Sequence, residues 1–301
     1  MRVLSLCGGI ETGYLALRNL GISVEEYHTF EILPEAIAVS QYHFPEIIHH
    51  GDLYDANFEE FKGFDLVISG CCCQSLSRVR VEDSSVNNGL DGKSGIVYEA
   101  EKALSIIKPK WFMAENVLPT KQKDLEELNR IFGVEAQLIN SGWFTAQQRE
   151  RLYWTNIPIA EIKHKNMVIK DIMQRNVDNK YFYNKKWKMI DPDKRVCAEL
   201  IVNTMEMNKR IYNVDYQAPT LTCISGGYHE KKILDNGRPR KLTEIEYERL
   251  QGLPDNFTDV RVNGRKLSYT KRCSLCGNGW TLPVIEHIFR GLYQEEKWYG
   301  S

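Results

Sequence analysis

Three cysteines stand side by side at Cys71, Cys72 and Cys73, between the run DLVISG and the segment Gln74-Ser75-Leu76-Ser77. A thiol at a strand end, entering a loop or a helix N-terminus, can have a depressed pKa and act as a nucleophile. Alternate side chains of extended backbone point apart, so adjacent thiols chelate one tetrahedral metal poorly. The competing reading is small apolar thiols packed in a core. Other polar groups follow apolar runs in the same way. Glu115-Asn116 comes directly after the strand at 111–114, where a carboxylate could hydrogen-bond the edge of a base. In Gln147-Gln148-Arg149-Glu150-Arg151 the two arginines fall on one side of an extended segment, which suits an anionic group or a surface salt bridge. Cys7-Gly8-Gly9-Ile10-Glu11-Thr12-Gly13 has glycines where backbone would approach a ligand closely. Glu31 ends the next strand, where an acid can bind ribose hydroxyls, and Asp52 could accept from an adenine amino group or simply be solvated. No G-x-x-x-x-G-K-[ST] run is present, which argues against a phosphate loop.

The elements that must position these groups follow from the apolar pattern. A short run at 3–6 leads into a helical period from Thr12 to Leu20, with Gly21 as its stop. A strand at 26–30 precedes a helix from Pro34, and further strands are expected at 47–49, 65–69, 111–114 and 151–155. Strands alternating with helices predict an α/β fold with a doubly wound, mostly parallel sheet, in which ligands bind at the carboxyl ends of strands. Residues 89–95, GLDGKSG, read as a long loop and a candidate lid. From about 160 to 235 the chain is basic, aromatic and without clear period, as expected of an inserted subdomain. Helical periodicity returns from Leu242 to Gln251 and again from Pro283 to about Tyr293. The domains so drawn are 1–160 with 240–301, and 161–239.

The chain of 301 residues carries 39 basic and 40 acidic side chains, a net charge of -1. No global basic field announces nucleic acid, so a nucleic-acid reading rests on local patches. The N-terminus has no secretory pattern and no stretch approaches a membrane span. The eight cysteines read as reduced thiols of a cytoplasmic protein. Cys273-x-x-Cys276, lacking a second pair, is a weak zinc signal and is read as packing; no metal is expected.

Taken in order, these pieces resemble the DNA cytosine-5 methyltransferase family. LSLCGGIETG resembles its glycine-rich first motif; Glu31 matches its ribose-binding acid and Gly51-Asp52 its Gly-Asp. Cys72-Cys73-Gln74 resembles its Pro-Cys-Gln nucleophile motif, and Glu115-Asn116-Val117 and the Gln-x-Arg-x-Arg run from Gln147 to Arg151 match directly. LTEIEYERLQGLPDNFT resembles the ninth motif and Gly277-Asn278-Gly279-Trp280 the tenth. GLDGKSGIVYE and GWTLPVIEHIF look closest to the vertebrate de novo branch, although the chain reads as a stand-alone bacterial or phage enzyme.

The resemblance implies a Rossmann-like catalytic domain with S-adenosylmethionine as cofactor, double-stranded DNA as partner, no membrane and no obligate protein partner. It implies that Cys73 adds to cytosine C6 while Glu115 holds N3 and the exocyclic amine, with Arg149 and Arg151 positioning the flipped nucleotide. Cofactor contacts are implied for Leu6, Gly9, Ile10, Glu11, Thr12, Glu31, Ile32, Asp52, Leu53, Gly70, Asn278, Gly279 and Trp280. DNA contacts are implied for Gln74, Ser77, Asn116, Gln147, Thr222, Ser225 and Gly226, and 161–239 becomes the target recognition subdomain.

Three positions depart from the family pattern: Cys72 replaces the proline before the nucleophile, Cys7 an aromatic, and Glu11 a small residue. A carboxylate at Glu11 is expected to lie near the methionine moiety of the cofactor. Three alternatives stay open at this level: a catalytically silent DNA-binding subunit, an RNA cytosine methyltransferase of the same fold, and a zinc-dependent binding module.

Overall fold

The computed structural model describes residues 1–70 and 93–293, which form two compact units. One comprises Met1–Ile139, Glu150–Glu161 and Val284–Ser301; the other Asn140–Arg149 and Ile162–Pro283. The second unit is larger than the insertion drawn from the sequence, because residues 240–283 cluster with it. Cys71, Cys72, Cys73, Gln74, Ser77 and the 89–92 part of the expected lid lie outside the described residues; 93–96 form a short 3-10 turn.

The first unit is built on β1 (Arg2–Leu6), β2 (Glu26–Phe30), β3 (Ile48–His49), β4 (Leu66–Ser69), β5 (Trp111–Asn116), β6 (Gln137–Asn140) and β7 (Glu150–Thr155). The order is β3-β2-β1-β4-β5-β7-β6. β1 to β5 pair in parallel, as their buried apolar runs predict, whereas β7 runs antiparallel to β5. Leu6 lies level with both Phe30 and Ser69, and Ser69 with Ala114. The residues that follow β1, β2 and β4 therefore emerge along one edge, together with the end of β5. Contrary to the sequence reading, Glu115 and Asn116 lie within β5, because β7 extends the pairing to Glu115↔Tyr153 and Asn116↔Leu152.

Helices α1 (Thr12–Asn19), α2 (Pro34–His43), α3 (Val97–Ile107) and α4 (Gln122–Phe132) cross the sheet; the sequence reading did not single out the last two. α1 stops where Gly21 adopts φ 71°, its N–H reaching Arg18 O while Ile22 N–H reaches Leu17 O. This reciprocal closure needs a residue that takes a left-handed φ without steric cost. Leu4, Leu6, Val67, Ala103, Leu128 and Trp154 are among the buried side chains of one apolar cluster.

The second unit holds β8 (Trp187–Met189), β9 (Val196–Leu200), α5 (Glu206–Lys209), β10 (Arg210–Tyr212), β11 (Lys232–Asp235) and β12 (Arg238–Lys241), giving a five-stranded sheet ordered β12-β11-β10-β9-β8. α6 (Glu244–Leu250) and α7 (Tyr269–Asn278) complete it, and α8 (Leu282–Phe289) begins at its end. α6 is secured by the acids of its own segment. Thr243 and Glu246 form a capping box, Glu246 also takes the buried Arg240 guanidinium at 2.7 Å, and Glu248 accepts from Thr258 and Arg272. No helix among the described residues is long and apolar enough to cross a membrane.

Candidate active site

In the first unit the strand-end groups are tied to the sheet yet keep capacity for a ligand. Glu31 Oε2 accepts the Gly9 N–H at 2.8 Å, and its Oε1 accepts the N–H groups of Ile32 and Leu33 at 2.8 Å. The carboxylate thus latches the glycine turn to β2, and Oε2, with one donor, retains lone-pair capacity. Among the described residues, nothing lies within 4 Å of where a Gly9 β-carbon would stand, so that face of the turn is open to them. Ile32 beside it is 66% exposed, an apolar surface next to an acid. Asp52 caps a short turn, accepting from Tyr54 N–H at 3.0 Å, with Leu53 buried behind it. Leu6, Ile10 and Thr12 are buried beneath the turn, and Gly70 N–H is held by Leu6 O.

Glu11 turns its side chain into the sheet, toward β2. Its carboxyl is fully buried, accepting from Tyr27 Oη at 2.8 Å and Thr29 Oγ1 at 2.5 Å. The side chain fills the space beneath Gly8, where a β-carbon would collide with this carboxyl and the Thr29 hydroxyl. Burial raises its pKa from 4.5 to about 7, against the lowering effect of the hydroxyl donors.

At the far end of the edge, Arg151 Nε lies 3.0 Å from Glu115 Oε1, with side chains 14% and 10% exposed. The pair bridges β5 and β7 and fixes the direction of the carboxylate. Asn116 is buried and turns its Oδ1 back to Val117 N–H.

Arg149, expected on the same side as Arg151, has other described partners. It belongs to the second unit, is buried, and donates to the carbonyls of Leu221, Gly277 and Gly279 at 3.0–3.2 Å. Gln147, also buried, accepts Leu221 N–H and donates to Leu250 O and Gln251 Oε1. Gln251, which the sequence reading treated only as a helix end, donates to Cys276 and Gly279 carbonyls and accepts from Thr281. These side chains knit four chain segments into one polar hub. A glutamine at the end of an apolar helical period was the signal available for Gln251, and it was not distinctive.

Against this hub lies the 218–230 segment. Gly277 packs on the backbone of Thr222 and Cys223, a β-carbon there coming within 2.5 Å of Thr222 C. Cys223 Sγ meets Asn278 Oδ1 at 2.7 Å, and Gly279 caps α7, with Trp280 buried after it. Ser225 and Gly226 stand exposed at the head of a loop. Cys273 and Cys276 are buried in α7, their thiols pushed up by desolvation, and no group of metal-ligating side chains occurs among the described residues.

A mostly parallel sheet with a glycine turn at its first strand and acids along one carboxyl edge defines the doubly wound α/β class, in which ligands bind at the carboxyl ends of strands. The chain belongs to the C-5 cytosine-specific DNA methylases, a family that matches residues 1–294. It is therefore a DNA cytosine-5 methyltransferase, and membership implies S-adenosylmethionine as methyl donor. It is similar to the orphan methyltransferase M.SPBetaI of Bacillus phage SPbeta, 22% identical over 97% of each chain. It is also similar to the type II methyltransferase M1.ScrFI of Lactococcus lactis subsp. cremoris, 26% identical over 79% of this chain and 64% of that one. In fold it resembles the Dnmt2 methyltransferase of S. pombe, with TM-score 0.71, 16% identity and 99% of each chain covered. A putative DNA modification methyltransferase from an E. coli prophage gives TM-score 0.69 at 18% identity, with 99% of each chain covered.

Proposed function

We propose that the chain transfers a methyl group from S-adenosylmethionine to C5 of a cytosine flipped out of duplex DNA, through a covalent bond between Cys73 and C6. The observation that carries this reading is the Glu115–Arg151 pair at the carboxyl edge of the sheet, a carboxylate aimed by a neighbouring guanidinium. Cytosine C5 is a poor nucleophile until C6 is attacked. The Cys73 thiolate contributes the electron pair of the new S–C6 bond, and the ring π electrons shift toward C5. Glu115, held in direction by Arg151, hydrogen-bonds N3 and the exocyclic amine and stabilises the charge that develops there. Once C5 carries the methyl group and the donor is left as a neutral thioether, loss of the C5 proton to a base or solvent and cleavage of the S–C6 bond return the thiolate. Extrusion of the base is required because C6 is inaccessible within the stack.

The donor fits the residues of the first unit: Glu31 for ribose hydroxyls, Ile32 for a base face, Asp52 for an exocyclic amine, and the open side of Gly9 for close approach. Bound there, S-adenosylmethionine supplies the methyl group as an electrophile. Asn278, Gly279 and Trp280 are assigned to the cofactor through the tenth motif. Arg149 is assigned a positioning role, acting through the backbone of Leu221, Gly277 and Gly279. Residues 161–239 are assigned to target recognition, with Thr222, Ser225 and Gly226 toward DNA; Gln74, Ser77, Asn116 and Gln147 retain the contacts implied by their motifs.

The test is transfer of labelled methyl to duplex DNA and, in parallel, to transfer RNA, by wild type, Cys73→Ala and Cys72→Ala. Product on DNA from wild type and Cys72→Ala, with none from Cys73→Ala, is expected. Methylation by Cys73→Ala would remove the nucleophile assignment, and preferential labelling of transfer RNA would move the substrate.

A further inference from the structure

We propose that Lys232 is a positioning residue for sequence readout, a buried strut that fixes the shape of the 225–230 loop. The inference rests on the reading that Ser225 and Gly226 meet DNA. Lys232 opens β11 and is 1% exposed. Its Nζ donates to Tyr228 O at 2.5 Å and Glu230 O at 2.7 Å, and stands 5.9 Å from the centre of the Tyr183 ring. The Tyr183 hydroxyl in turn donates to the Glu230 carboxylate.

The loop above needs such a strut. Gly226, Gly227 and Tyr228 have φ of 92°, 63° and 68°, three consecutive residues in the left-handed region. A tyrosine there is held against its own steric preference. Outside the strut, the loop is held by Thr204 Oγ1 to Gly227 O at 3.3 Å and by Tyr228 packing beside Tyr183, and within it Ser225 Oγ meets His229 Nδ1 at 3.1 Å. A methionine would fill the Lys232 volume without desolvating a charge, but it would leave the Tyr228 and Glu230 carbonyls without these donors. The cost of burying the ammonium is thus tied to the form of the loop.

The strut is sensitive to its charge. Desolvation lowers the Lys232 pKa from 10.5 to about 8, opposed by Glu230 and reinforced by Lys231. The groups facing it are Tyr183, Tyr228, Glu230 and Lys231, and the Lys231 N–H is held by Tyr247 Oη. Below that value three N–H donors serve the carbonyls and the ring; above it a neutral amine donates more weakly and the loop loosens.

The experiment methylates a mixed-sequence duplex library with purified full-length protein and reads the context of every modified cytosine by bisulfite sequencing. Lys232→Met is expected to reduce the preference for the favoured context over single-base variants by about tenfold at pH 7. Its KM for S-adenosylmethionine is expected to stay within about twofold, because removing a strut of the recognition loop leaves ground-state cofactor binding in place. In wild type the preference falls between pH 7 and pH 9, whereas in Lys232→Met it is flat. An unchanged context profile in folded Lys232→Met overturns the proposal. If that variant does not fold, a wild-type profile constant from pH 7 to 9 overturns it alone. Deletion of Gly226 and Gly227 separates the two levels. If deletion alters the profile and Lys232→Met does not, the loop reads sequence without the strut. If deletion leaves the profile intact, the reading of the loop fails and the inference with it.

Discussion

The two units treat polar side chains of the same types in opposite ways. In the first, Glu31 and Asp52 are anchored by backbone N–H groups and remain at the surface, and Glu115 meets Arg151 at the sheet edge. In the second, Gln147, Arg149 and Gln251 are buried and direct their donors at carbonyls and at one another. Two arginines separated by one residue fall on either side of this division. The difference teaches that a motif's arginine can be retained for the backbone it holds as readily as for the ligand it touches.

The sharpest way to break the comparison is Arg149→Met. It leaves the Leu221 and Gly277 carbonyls without this donor, while Gly279 O keeps the Gln251 amide, and unfolding free energy is expected to fall by roughly 3–5 kcal/mol in urea titrations. A loss below about 1 kcal/mol would show that the hub is not structural.

Glu11, a sealed carboxyl within the otherwise open unit, gives the next effect. Its pKa is about 7 when folded and 4.5 by its ordinary value, so the folded state binds the extra proton. Stability contributed by that proton is fully present below pH 4.5 and is lost as pH rises toward 7, by about 3 kcal/mol in all. Glu11→Gln is expected to flatten that part of the stability–pH curve; an unchanged slope would place the titration elsewhere.

Arg151→Met tests the open side. Methyl transfer is expected to fall by about 10²-fold with the chain still folded at 25 °C, the scale of losing one aligned electrostatic partner. If kcat is unchanged while KM for DNA rises, Arg151 binds rather than aims. The smallest effect is expected for Thr220→Val, which removes one hydrogen bond to Gln148 O at the rim of the hub. Thermal unfolding should report about 0.5–1.5 kcal/mol.

The first unit was largely legible because each parallel strand is a short buried run closed by glycine or a polar residue, a pattern carried by neighbours in sequence. The direction of β7 was not, since periodicity reports which face is buried and not which way a strand runs. The same limit hid the extent of β5, whose last residues are strand only because β7 pairs with them. β8 to β12 are short and broken by turn formers, so no period had room to develop. The buried ions were least visible. Lys232 and Arg240 are residue types that promise solvent, and although Glu230 and Glu246 lie only two and six residues away, nothing in the local pattern marks these charges as buried. Glu11 was noticed as a departure from the family pattern, but the direction of its side chain depends on Tyr27 and Thr29 in the neighbouring strand.

The strand order has a consequence for how the chain is made. β6 leaves the ribosome before β7, yet β7 lies between β5 and β6 in the finished sheet. Until Thr155 has emerged, β6 has no neighbour to join. The last segment of the first unit, Val284–Ser301, is synthesised only after the whole of the second. No single proteolytic cut therefore yields both units intact, and a nascent chain must hold the first unit without its last segment while more than a hundred residues of the other unit are translated.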